Sequence, residues 1–204
     1  MSLPAFRGPR PGGASGLRHE PSAWTLPGLA GRLVEISGAE DSAALTVALG
    51  LVRQAQLLNE PAAWITPVTE TFFPPDAAAG GVDLAALAIV RVPDPRSLPR
   101  AADQLARSGG FGLVVVDLGP ARLPLAALSR LLGLASKHGV LILFLTDKGE
   151  RAPSIGSLVS LRGHARRRRT GKGEFACEVV VLKDKRRSPG WKHTEVCGGP
   201  PGLQ

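Results

Sequence analysis

Apolar residues along this chain follow two rhythms. Short runs of aliphatic residues recur at Leu33-Val34 with Ile36, and over 62–66, 87–92, 113–116 and 140–146. Continuous runs of that length suit strands buried on both faces of a parallel sheet. Between them lie segments whose apolar positions have helical spacing, at 43–58, 97–107 and 125–137. In the first, Leu45, Val47, Leu49, Val52, Leu57 and Leu58 supply the apolar positions, and Asn59-Glu60-Pro61 stops the helix. The second closes at Ser108-Gly109-Gly110. Strands alternating with helices predict an α/β fold, a mainly parallel sheet flanked by helices. The last third changes period. Residues 157–169 and 175–183 read as two long strands about the turn Gly171-Lys172-Gly173, an antiparallel hairpin, and W-K-H-T-E-V supplies a further strand.

Composition adds a boundary and a charge. Residues 1–22 are rich in Pro and Gly and read as a disordered tail, which leaves 23–204 as one domain. The 204 residues are 44% hydrophobic, enough for a single core. The formal net charge is +8, and most of the excess falls between residues 162 and 187. That points to nucleic acid or an acidic protein surface as partner. No apolar run approaches the roughly 20 residues of a membrane span, and the N-terminus has no signal-peptide core. A cytoplasmic protein with no membrane partner is expected. Cys177 and Cys197 match no zinc spacing and read as two reduced thiols. His19, His138, His164 and His193 are scattered, so no metal site is expected. No nucleophile sits in a recognisable catalytic motif. Aromatic residues are too few for a single-strand stacking platform, and Trp24, Trp64 and Trp191 read as core or interface anchors.

The first strand, loop and helix carry the candidate chemistry. In that context a phosphate-binding Walker A loop reads G-x-x-x-x-G-K-[ST]. Gly38 fills its first position, but Ala43 stands at the second Gly, Ala44 at the Lys and Leu45 at the Ser/Thr. Ala resists the positive φ that Gly tolerates. No ammonium can reach the β/γ-phosphates, and no hydroxyl can hold Mg²⁺. The loop reads as a degenerate nucleotide site, with no cofactor expected and no enzyme activity.

The stretch G-R-L-V-E-I-S-G-A-E-D-S resembles the RecA recombinase family, where a G-R-I-V-E-I strand runs into G-P-E-S-S-G-K-T. The similarity continues in G-V-D at 81–83, in L-A-R-S-G-G-F-G-L-V-V-V-D at 105–117 and in K-D-K at 183–185. Within that family, a short chain without the Walker lysine most resembles the ImuA type of bacterial mutagenesis cassettes. The resemblance implies a RecA-like core ending in antiparallel strands. No counterpart of RecA's N-terminal packing helix or C-terminal domain is expected. Asp117 falls at the Walker B position and reads as a leftover structural acid. Glu70 is the nearest candidate for the family's catalytic glutamate, against the plainer reading of a loop acid. Asp147 stands where RecA has a γ-phosphate-sensing Gln, and a carboxylate there repels phosphate. The first DNA-binding loop is largely deleted and the second is cut down to 148–156.

Lys183 and Lys185 match lysines that reach across the RecA filament interface; two solvated lysines at a strand end is the alternative. Arg166, Arg167, Arg168 and Arg169 with Lys172 form the densest basic cluster. A turn at Gly171-Lys172 would set Arg166 beside Cys177 and Lys183 near Ser160, with the two clusters about 25 Å apart at roughly 3.3 Å per residue. Alternation puts Arg166 and Arg168 on one face and Arg167 and Arg169 on the other. Phosphate contact without sequence preference or a protein-facing patch would each follow. The resemblance implies a non-catalytic accessory protein of the SOS response and translesion synthesis. Its expected partners are an ImuB-type polymerase homologue and RecA, with weak DNA contact. The alternatives are a DNA-binding module of RecA fold and a SulA-like inhibitor of cell division.

Overall fold

A computed structural model describes residues 24–39, 42–69, 72, 74–171 and 174–198. The tail at 1–22, Glu70 and Lys172 lie outside the described residues.

A short helix α1 (Leu26–Leu29) leads into β1 (Leu33–Gly38), then α2 (Ala44–Leu57), β2 (Ala62–Pro67) and α3 (Pro74–Ala79). Next come β3 (Leu87–Val92), α4 (Leu98–Ser108), β4 (Leu113–Gly119), α5 (Leu125–His138) and β5 (Leu141–Asp147). The antiparallel strands β6 (Leu161–Gly171), β7 (Glu174–Asp184) and β8 (Lys192–Gly198) follow. The sheet order is β3-β2-β4-β5-β1-β6-β7-β8. Pairings from β3 to β6 are parallel, and β6–β7 and β7–β8 are antiparallel. This is the α/β architecture the apolar rhythm predicts.

Alternation along each strand builds two cores. Val34, Ile36, Trp64, Val115 and Leu143 face α1, α2 and α3, while Leu33, Ile65, Val114, Ile142 and Phe144 face α4 and α5. Burial on both sides is why β1, β2, β4 and β5 are apolar runs. Each fully buried Leu, Ile or Val contributes about 1.5–3 kcal/mol. Asn59 takes a left-handed φ of 56° just past α2, and Gly109 a φ of 67° just past α4. Both conformations end helices in the usual way.

Several expectations are corrected. In α2 the packing face is Ala44, Val47, Ala48, Leu51, Val52 and Ala55, while Leu45, Leu57 and Leu58 are exposed. Small side chains let this helix lie close on β1, so the alanines define its inner face. Residues 157–160 are not strand, because Ser160 is held by Arg32 and by the Leu33 carbonyl just before β6 begins. The hairpin register is off by one near the tip, where Arg166 lies opposite Glu178 and Arg167 opposite Cys177, and by two at its base, where Lys183 lies opposite Arg162 rather than Ser160. The irregularity between Arg169 and Gly171, with a second between Arg162 and Gly163, inserts residues that simple counting misses. The expected alternation of the arginines between faces holds.

Candidate functional site

The parallel strands end together at one edge of the sheet, where ligands of open α/β sheets bind. At that edge β1 passes into the loop before α2. Ser42 folds back over Gly38 so closely that a Cβ there would lie 1.6 Å from the Ser42 hydroxyl oxygen. Glycine is therefore demanded by contact. The same hydroxyl accepts the Ala44 N–H at 3.0 Å, so one donor at the start of α2 is satisfied from the loop, although the N-cap residue itself is Ala43 and offers no side-chain acceptor. Ala43 and Ala44 are buried, their methyl groups in the core, and Leu45 is 56% exposed. No side-chain cation stands at residue 44 and no oxygen at residue 45. Arg167 reaches this helix from the hairpin, its Nη2 3.5 Å from Thr46 Oγ1.

Asp117 sits near the end of β4, where buried Thr66 donates to its Oδ2 at 3.3 Å. Asp147 ends β5 and is exposed beside Gly119, whose φ is 51°. Sequence reasoning placed both acids at this edge, and the structure brings them there.

A group it missed organises the neighbouring loop. Glu35 lies in the middle of β1, fully buried. Its carboxylate accepts from Thr146 Oγ1 at 3.2 Å, Ser154 Oγ at 2.8 Å and the Ile155 N–H at 3.0 Å. It also pairs with Lys148 Nζ at 2.5 Å, with Arg162 Nε 3.9 Å away. Arg162, itself buried, donates to the carbonyls of Gly149, Glu150 and Ala152 and to Ser37 Oγ. Burial pulls its pKa down, against the pull of Glu35. Segment 148–157 is thus clasped onto the sheet by charges from β1 and β6. The available signal was an acid inside an otherwise apolar strand, since a buried carboxylate requires partners.

Lys183 belongs to the same clasp. Its ammonium donates to the Gly156 and Ser157 carbonyls at 3.5 and 3.3 Å, and burial followed by the nearby Lys185 charge lowers its pKa. Lys185 is exposed. Between them Asp184 turns inward to Arg32 at 2.6 Å and to the Trp191 indole N–H at 3.3 Å. Burial pushes the Asp184 pKa up, but the Arg186 N–H and the Arg32 guanidinium outweigh it and hold it below the ordinary value.

On the hairpin the arginines divide. Arg166 pairs with Glu178 at 2.6 Å, and Lys192 pairs with the same acid at 3.3 Å. The Arg166 hydrogen bond is the main reason the Glu178 pKa falls. Arg167 lies over the Phe175 ring at 5.5 Å on the α2 side. Arg168 and Arg169 are exposed toward the hairpin tip. His164, behind Arg166, touches Ser37 Oγ at 3.3 Å, and burial lowers its pKa. Trp24 is buried, edge-on to Trp191 and stacked on His193. Cys177 and Cys197 are free thiols, and burial with the neighbouring Cys177 thiol pushes the Cys197 pKa up to about 12.

A parallel sheet with helices on both faces, a glycine loop between its central β1 and α2, and an antiparallel three-stranded extension define an α/β domain of nucleotide-loop type. The RecA N-terminal domain model matches residues 16–145, and the chain belongs to that family. It is 29% identical to Protein RecA of a Picosynechococcus species over 177 residues, covering 85% of this chain and 45% of the relative. With Protein RecA of Nostoc punctiforme the identity is 30% over 161 residues, covering 78% and 40%. With that of Kineococcus radiotolerans it is 38% over 104 residues, covering 50% and 29%. The chain spans less than half the length of these relatives. Among the described residues no helix is long and apolar enough to cross a membrane.

Proposed function

We propose that this chain is a non-catalytic, RecA-like accessory protein of DNA repair. It resembles the ImuA type and serves the SOS response and error-prone translesion synthesis through contacts with an ImuB-type polymerase homologue and RecA. The observation that carries this reading is the start of α2. Buried methyl groups occupy positions 43 and 44, and an exposed Leu stands at 45 where the loop motif needs a hydroxyl. A degenerate Walker A of this kind offers α2's backbone N–H groups but neither the ammonium nor the Mg²⁺ ligand of phosphoryl transfer. The clasped 148–157 segment supports the same reading, because Lys148, Ser154, the Ile155 N–H and several of its carbonyls are already engaged within the fold.

RecA-type filaments join unlike faces, so a subunit offering one face stops growth. Lys185, exposed where β7 ends, is the lysine free to reach an adjoining RecA subunit. Added to RecA on single-stranded DNA, the chain should lower RecA's ATPase at substoichiometric ratios, and Lys185→Ala should relieve the inhibition. Inhibition needing one molecule per RecA, or surviving Lys185→Ala, refutes the capping role. The exposed Arg168 and Arg169 favour a second reading, weak DNA contact without sequence preference.

A further inference from the structure

The outer layer formed by α4 and α5 carries a second basic surface, far from the hairpin in sequence. Arg100, Arg107, Arg130 and Lys137 stand on these two helices against a single acid, Asp103. Arg107 on α4 and Arg130 on α5 both bind that Asp103 carboxylate, Arg107 at 2.5 Å. The acid is mostly covered, while the two arginine side chains are 56% and 59% exposed. Between the helices runs an open groove of about 680 Å³, floored by Ala127 and Leu131 and flanked by Arg100. The shared carboxylate fixes the two guanidinium groups along its wall and leaves outward N–H donors on each.

We propose that this α4–α5 groove docks an acidic segment of a partner protein, its carboxylates on Arg100, Arg107 and Arg130 and an apolar residue over the half-buried Ala127. The charge is complementary, and the guanidinium fork matches carboxylates in bidentate geometry. Two features favour a polypeptide over nucleic acid. No aromatic side chain lines the groove for a base to stack on. A phosphate backbone is charged at every unit and must cross Asp103, whereas a peptide can set a neutral or donor residue there. The groove stands on different residues from the loop and Lys185, so the inference does not depend on the capping role.

The test uses the full chain and a fluorescein-labelled helical peptide with glutamates on one face and leucines on the other, followed by anisotropy. Arg100→Glu with Arg107→Glu and Arg130→Glu should weaken binding by well over about tenfold, since each charge-assisted contact is among the stronger kinds. Arg100→Glu alone, which leaves the Asp103 pairs in place, should weaken it severalfold in a protein whose melting is unchanged. Alanines at Arg166, Arg167, Arg168 and Arg169 should leave it within about twofold, since that cluster stands on the β6–β7 hairpin and lines no part of the groove. No binding by the unmodified chain overturns the proposal, as does equal loss in the groove and hairpin variants or loss in the hairpin variant alone. A labelled oligothymidylate that binds more tightly than the peptide, and is released by the groove substitutions, assigns the groove to nucleic acid and also overturns it.

Discussion

Replacing Glu35 tests whether segment 148–157 is a fixed part of the fold. Its carboxylate holds two side-chain hydroxyls, the Ile155 N–H and the Lys148 ammonium in a place without solvent. In Glu35→Ala, Lys148 and Arg162 lose the buried carboxylate they share, Lys148 19% exposed and Arg162 only 5%, and Arg162 keeps only the more distant Glu150 charge. Breaking a buried pair from one side costs about 3–5 kcal/mol. Orphaned donors cost about 1–3 kcal/mol each, and the two effects overlap because the same groups are counted. A net loss of about 4 kcal/mol is a large share of the roughly 5–15 kcal/mol that holds a domain together. At about 2–4 °C per kcal/mol for a chain of this size, the midpoint should fall by roughly 8–16 °C. Glu35→Gln keeps one acceptor and the volume, and should cost about half as much, still near 2 kcal/mol. Urea and thermal melts measure the loss, and amide exchange locates it. The Ile155 amide should exchange far faster in Glu35→Gln, with β4 and β5 unchanged at equal temperature below the midpoint. A loss under about 1 kcal/mol in Glu35→Ala, the value of a surface pair, refutes the clasp. Unchanged exchange at Ile155 does so equally.

Calorimetry with Mg-ATP should show no tight, saturable binding, and saturable micromolar heat would overturn the account of residues 43–45. Any DNA binding should fall steeply with salt, since backbone contacts release counterions. Alanines at Arg166, Arg167, Arg168 and Arg169 should abolish it, and affinity held at high salt would mean that a base-contacting surface exists. Stability should decline on the acid side in two stages. His164, whose pKa burial lowers among Glu150, Arg162 and Arg166, contributes stability fully present above about 6.5 and lost as pH falls through its depressed value. Asp184 and Glu178, also depressed, contribute stability present above about 4 and lost as pH falls further. Melting midpoints from pH 8 to 3 measure both, and His164→Gln should remove the first stage alone.

The parallel core was legible because burial on both faces leaves no room for polar residues, so β4 reads as Leu-Val-Val-Val. The helix α3 was not legible. It opens on two prolines and buries only Ala77, so it shows no helical period. Nor could the hairpin register be counted from its ends. Four consecutive arginines followed by Thr170 look the same at every offset, and only Glu178 opposite Arg166 distinguishes the observed pairing. The residue types at 43–45 were legible in the sequence. That Ala44 faces the core while Leu45 faces solvent depends on how α2 lies on β1, which spacing alone does not determine.

The clasp and the groove share one reason for having been missed. Each assembles charges far apart in the chain: Glu35 with Ser154 and Ile155, and Asp103 with Arg130. Sequence reasoning weighs clusters by density, so it went to the four arginines at 166–169. Density is a poor guide to what a charge is free to do. Of the basic groups singled out, Lys183 is spent on carbonyls, Arg166 on Glu178, and Arg167 on a ring and a threonine. Arg100 lies far from the arginine run and Lys185 within Lys-Asp-Lys-Arg-Arg, and both face solvent. An exposed cation with no internal acceptor keeps its full electrostatic attraction for an incoming acid, whereas one already paired must first give up its partner. By that measure Arg100 beside the α4–α5 groove and Lys185 at the end of β7 are better placed to meet a partner than Arg166 and Arg167, which the density of the arginine run brings to notice first.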